Sequence, residues 1–179
     1  MTTTTPDFTP RLVPAPPRGH NGTPRVDWQR LWLGTQSRPW SSLAVVPGDE
    51  QTSAYELAGL LAALGVHHGE PMVFASARDT DLDGVAEFVE QTRWHQEHGE
   101  RVIFATRALS ENLATLPLAQ AADAALLCVT LGRTSLAPAT DAVERIGRAR
   151  FLGSVIVPAI DRSTFTPPRN LEPRRLWRA

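Results

Sequence analysis

Five short apolar runs, each set off by a stretch with helical spacing, narrow the folds open to this chain. The runs are LAVVP (43–47), PMVFASA (71–77), RVIFAT (101–106), AALLCVT (124–130) and FLGSVIVP (151–158). Apolar runs of this length without polar alternation suit strands buried on both faces. Between them, residues 52–65, 81–99, 111–122 and 136–149 carry apolar positions at the three- and four-residue spacing of amphipathic helices. Thr52 is expected to cap the first of these helices and Gly65 to stop it, while Pro117 is expected to break the third. Strands alternating with helices predict an α/β domain: a mostly parallel sheet of about five strands with helices on both faces. In such sheets ligands sit beyond the carboxyl ends of the strands. The loops at 47–52, 77–82 and 106–111 are therefore where chemistry is expected.

The ends of the chain have a different character. Residues 1–25 are Thr/Pro-rich, with TTTTP and PAPPRG, and are expected to form an extended or disordered leader. Residues 26–160 are assigned to the domain and 161–179 to an irregular Pro/Arg-rich tail. Within 26–34, VDWQRLWLG places Trp28, Leu31 and Trp32 at helical spacing. Charge follows the same division. Residues 41–161 hold eight arginines against sixteen acids, net −8, while 1–40 carry five against two and 162–179 five against one. Basic ends on an acidic middle suit contact with an acidic surface, a membrane or a partner. No signal-peptide pattern or apolar run of the ~20 residues needed for a membrane span is present, so a cytoplasmic location is expected.

Composition removes several chemistries. All eighteen cationic side chains are arginine; the chain has no lysine, hence no Schiff-base lysine and no lysine for a phosphate loop. The single cysteine, Cys128, excludes an internal disulfide, and its setting in AALLCV marks it as a small core residue.

With the loops placed, three stretches resemble the cytoplasmic domain of bacterial tyrosine kinases of the polysaccharide chain-length and capsule family, within the MinD/ParA-type P-loop ATPases. They are SLAVVPGDEQTSAYELAGLLAALG (42–65), VIFATRAL (102–109) and AADAALLCVTLGRTSLAPATDAVERI with FLGSVIVP (121–158). The resemblance spans roughly residues 26–160 and implies a P-loop-type fold with a phosphate loop at Gly48, Asp49, Glu50, Gln51, Thr52 and Ser53. It also implies a Walker B position at Ala105 and Thr106.

The departures from that family carry the functional expectation. Gln51 stands where the family has its lysine, although Thr52 and Ser53 keep the hydroxyls. Asp49 and Glu50 put two negative charges where a polyphosphate would lie, each costing ~4 kcal/mol at 4 Å and an effective dielectric of 20. Ala105 replaces the Walker B acid, and the family's Asp-x-Asp falls near Ala75–Ala77, with Asp79 and Asp81 a few residues away. The stretch between these two strands is shorter than in the family. The sole tyrosine, Tyr55, lies in the first helix, so the tail lacks the family's tyrosine cluster. Asp27, Arg30 and Leu33 match the family's subunit-packing Glu-x-x-Arg-x-x-Arg only in part. The expectation is a non-catalytic relative needing no cofactor, acting as a scaffold or regulatory partner in exopolysaccharide or capsule production. Its expected partner is an inner-membrane polysaccharide assembly protein or a related kinase or ATPase, in a homo- or hetero-oligomer. Membrane contact would be peripheral, through that partner or the Arg-rich tail. Asp27, Trp28, Arg30 and Trp32, with the 47–53 loop, are the expected contact points. A positioning factor of the ParA/MinD type for another membrane machine is the alternative.

Other constellations in the sequence have simpler roles beside their functional ones. Asp79, Asp81, Asp83 and Glu90 spell the calcium-loop pattern D-x-D-x-D-G-x5-E, which opens a calcium-binding α/β module as a further alternative. An Asp-rich helix start explains the same residues. His95 and His98, and His67 and His68, fall short of the three or four converging ligands a metal needs. No G-x-S-x-G elbow supports a hydrolase. No nucleic-acid-reading motif is present, and nucleic acid is not an expected partner.

Overall fold

A computed structural model describes residues 26–157. Five strands run β1 (Ser42–Pro47), β2 (Met72–Ser76), β3 (Arg101–Ala105), β4 (Ala124–Thr130) and β5 (Phe151–Val157), with five α-helices between and before them. The strands form one sheet in the order β2-β3-β1-β4-β5. Every pairing is parallel. Strand β1 is central, and all six of its residues are buried. Its pleat feeds two cores: Leu43 and Val45 point to one, Ala44 and Val46 to the other. The same alternation runs through β3, with Ile103 and Ala105 on one side and Val102 and Phe104 on the other.

Helices α1 (Val26–Thr35) and α2 (Tyr55–His67) cover the first core through Trp32, Leu57, Leu61 and Leu64. Helices α3 (Val85–Glu97), α4 (Thr115–Ala121) and α5 (Leu136–Ile146) cover the second through Phe88, Leu118 and Ile146. The fold class is as the apolar runs predict. The leader at 1–25, the tail at 161–179 and Pro158, assigned to the last strand, lie outside the described residues.

Several element ends differ from expectation, each for a physical reason. Thr52 does not cap α2; the helix begins three residues later, and the Thr52 hydroxyl is bonded within the loop. Gly65 lies inside α2 rather than ending it. A Cβ there would come within 2.6 Å of Met72 Cγ and 2.9 Å of the Trp32 ring, so this glycine lets α1 and β2 close on α2. The chain leaves the helix instead at Gly69, whose φ of +83° suits a residue without Cβ. Residues 81–84 form a turn ahead of α3, with Asp81 Oδ1 accepting the Gly84 N–H at 2.8 Å. Pro117 does not break α4 but sits in its first turn, where a missing N–H costs nothing. Helix α5 ends at Ile146 because Gly147 turns with φ +104°, followed by a short 3-10 turn over Arg148–Arg150.

At the amino edge of the sheet, Trp32 and Trp40 meet edge-on at 6.3 Å, and the Arg101 guanidinium lies 3.6 Å from the centre of the Trp40 ring. Arg101 also donates to the Trp40 carbonyl and to Gln36. Trp32, expected as a partner contact, packs its ring inside the fold and is only 4 % exposed.

Gly65→Ala is expected to destabilise the protein by about 1–3 kcal/mol, as overpacking does in a filled interior. Urea unfolding of the two proteins checks this, with an unchanged m-value expected.

Candidate functional site

The carboxyl ends of β1, β3 and β4 meet at one edge, and the loop after β1 lies at its centre. Gly48 leaves the strand with its N–H on the Cys128 carbonyl at 2.8 Å. A Cβ on Gly48 would lie 3.0 Å from Thr134 Cγ2 and 3.2 Å from Ala139 Cβ, so the loop is pressed onto the start of α5. The next residue turns inward. Asp49 is 7 % exposed, and its carboxylate accepts three hydrogen bonds. Oδ1 takes the Gln51 N–H at 3.2 Å and the Thr52 hydroxyl at 2.9 Å. Oδ2 takes the N–H of Ser135, the residue before α5, at 2.9 Å. The carboxylate is itself the anion held by the loop, at donors of the kind that cradle phosphates in P-loops.

The remaining loop residues divide between wall and solvent. Thr52 is buried, and its hydroxyl also meets Thr134 Oγ1 at 2.8 Å. Ser53 bonds to Glu56. Glu50 and Gln51 are exposed, so the glutamine at the lysine position faces water. One strand over, Ala105 is fully buried and pairs with Val45 and Ser76. The Thr106 N–H and hydroxyl both bond to the Val45 carbonyl. The structure thus places the expected phosphate-loop and Walker B positions on neighbouring strands, with the Ala105 methyl and the Thr106 hydroxyl beside β1.

A cleft of about 200 Å³ opens beside the loop between Gly48, Leu109, Leu113, Pro138 and the Asp141–Arg145 pair. That is below the ~300–1,000 Å³ of ordinary small-molecule pockets.

Beneath the loop, Cys128 on β4 is fully buried, with Sγ 3.7 Å from the Ser53 carbonyl. Burial, reinforced by the Glu56 charge, pushes its thiol up to about 12 from the ordinary 9.0.

The residues of the calcium pattern are not gathered into one group. Asp79 pairs with Arg107 at 2.9 Å, Asp81 closes the turn before α3, and Glu90 pairs with Arg93 at 2.7 Å. Asp83 is exposed. A strand, not a helix, delivers the chain to this turn, so the four carboxylates splay rather than converge. Among the described residues no three His, Cys, Asp or Glu side chains are grouped to hold a metal. His95 instead meets Glu100 at 2.6 Å, and His98 meets the Trp94 carbonyl at 2.7 Å. Of the expected contact points, Asp27 and Arg30 are exposed and Trp28 is half-buried.

Two residues of the site were missed by the sequence reasoning: Thr134 and Ser135. Their signal was present as a Thr-Ser pair directly before the apolar start of α5, a helix-capping pattern.

No family model matches the chain, and no curated protein does. Among solved structures, the kinase domain of Escherichia coli tyrosine kinase ETK is similar, with a TM-score of 0.60 and 11% identity. The match covers 80% of this chain and 77% of that one. At this identity the likeness establishes the fold alone, a parallel α/β sheet like that of this domain. Among the described residues no helix is long and apolar enough to cross a membrane.

Two outcomes follow from the site. Asp49→Ala is expected to cost about 1.5–3 kcal/mol, because three donors lose a charged acceptor, while Glu50→Gln stays within ~0.5 kcal/mol. Chemical denaturation separates the two. The Cys128 thiol also sets a pH slope. Between about 9 and about 12 the unfolded chain has released a proton that the native protein keeps. Stability therefore falls with rising pH by about 1.4 kcal/mol per unit in that window. Below it the thiol contributes no slope. Comparison with Cys128→Ala isolates this contribution.

Proposed function

We propose that this chain is a non-catalytic member of the kinase-like P-loop fold, a scaffold or regulatory partner in bacterial exopolysaccharide or capsule production. The observation that carries the proposal is the inward-turned carboxylate of Asp49, which occupies the Gln51 N–H, the Thr52 hydroxyl and the Ser135 N–H at the place a phosphate would lie. An incoming polyphosphate would have to displace a buried, three-fold bonded carboxylate and bring like charge beside it. The buried Ala105 supports the same view, since a Walker B position without oxygen ligands has nothing to hold Mg²⁺. No lysine exists anywhere in the chain to neutralise a transferring phosphoryl group.

The polysaccharide assignment rests on the sequence resemblance of residues 42–65, 102–109 and 121–158 to the capsule kinases, together with the fold shared with a tyrosine kinase domain. In this role the chain acts from the cytoplasmic side of the inner membrane. Its partner is a polysaccharide assembly protein or an active kinase of the same fold. The outer face of α1, with Asp27 and Arg30 exposed, and the exposed Glu50 and Gln51 are the contact points left open for that partner.

Calorimetry with millimolar Mg²⁺-ATP is expected to show no binding tighter than ~100 μM and no phosphate release. Binding at micromolar affinity or turnover would overturn the proposal. Affinity capture from the native host is expected to recover the assembly protein equally with and without Mg²⁺-ATP. Asp27→Arg/Arg30→Asp, which leaves the core untouched, is expected to reduce that recovery.

A further inference from the structure

The loop after β1 (48–54) and the loop after β4 (130–135) share one polar network. Two hydrogen bonds cross between the loops, the Thr52 and Thr134 hydroxyls at 2.8 Å and Ser135 N–H to Asp49 at 2.9 Å, and a third ties the Gly48 N–H to the Cys128 carbonyl within β4 at 2.8 Å. Thr134 is anchored on its own loop by accepting the Thr130 N–H at 2.8 Å. Asp49 supplies the charge in this network. Pulling either loop away strips donors from a buried carboxylate, at a cost that neither loop can avoid by moving alone. The tight approach of Gly48 to Thr134 and Ala139 leaves no slack for one loop to slide past the other.

We propose that these two loops open and close as a single unit latched by the Asp49 carboxylate, and that the closed latch seals Cys128 within the sheet. The latch holds whether or not the loop binds a nucleotide, so it stands apart from the functional proposal above. Its consequence is regulatory. A partner that engages the carboxyl edge meets either the closed or the open unit, and shifts the population between them by its preference.

The chain carries its own reporter, because Cys128 is its single cysteine. The rate at which the full chain reacts with a neutral thiol reagent at constant pH measures opening over that residue. Asp49→Ala and Thr134→Val are each expected to raise this rate about tenfold or more. Combining them is expected to give less than the product of the two effects, since both remove the same latch. The rate should rise only weakly with urea below the unfolding transition, because loop opening exposes little surface. Three results would each overturn the latch: a Thr134→Val rate equal to the wild-type rate, single effects that multiply in the double variant, or a urea dependence as steep as that of global unfolding.

Discussion

Burial of β1 on both faces is the constraint on which the rest of the molecule depends. With neighbours hydrogen-bonded on each side and helices over each face, none of its residues reaches solvent. Its sequence is therefore apolar from Leu43 to Pro47, with the buried Ser42 hydroxyl bonded to Asp123, and its direction decides where the chain emerges. It emerges at Gly48, pressed between the end of β4 and the start of α5. The first side chain beyond that point has only the interior of the edge to enter. An aspartate there is tolerated because two backbone N–H groups and a hydroxyl are already pointed at it.

Two backbone N–H groups and a hydroxyl are bonded to Asp49 in the folded chain, and these contacts tie the β1 and β4 loops together. Beside the loop lie a small cleft and the exposed side chains of Glu50 and Gln51, with Leu131 and Leu136 also exposed at this edge.

Much of the sheet was legible in the sequence because the strands are largely apolar runs; β1 and β4 are buried on both faces, while β5 at the sheet edge leaves Gly153, Ser154 and Ile156 exposed. Helix starts were less legible. Thr52 and Asp81 look like helix caps, yet both spend their side chains on loop geometry, and α2 and α3 begin later. The glycine at 65 reads as a stop locally; only the approach of Met72 and Trp32 shows why it lies within the helix. The site was half legible. The acids, the missing lysine and Ala105 could be read in place, but not the inward turn of Asp49, whose partner Ser135 is 86 positions away. The settings of the calcium-pattern residues and of Trp32 were not legible for a common reason: the elements before and around a residue, not its type, decide where its side chain goes.

The amide signals of Gln51 and Ser135 test the central claim, an anion cradle filled by the protein's own carboxylate, most directly. Titration of the full chain with Mg²⁺-ATP, followed by nuclear magnetic resonance, is predicted to leave both signals in place. A saturable shift of these two amides, showing that phosphate has displaced Asp49 from its donors, would contradict it.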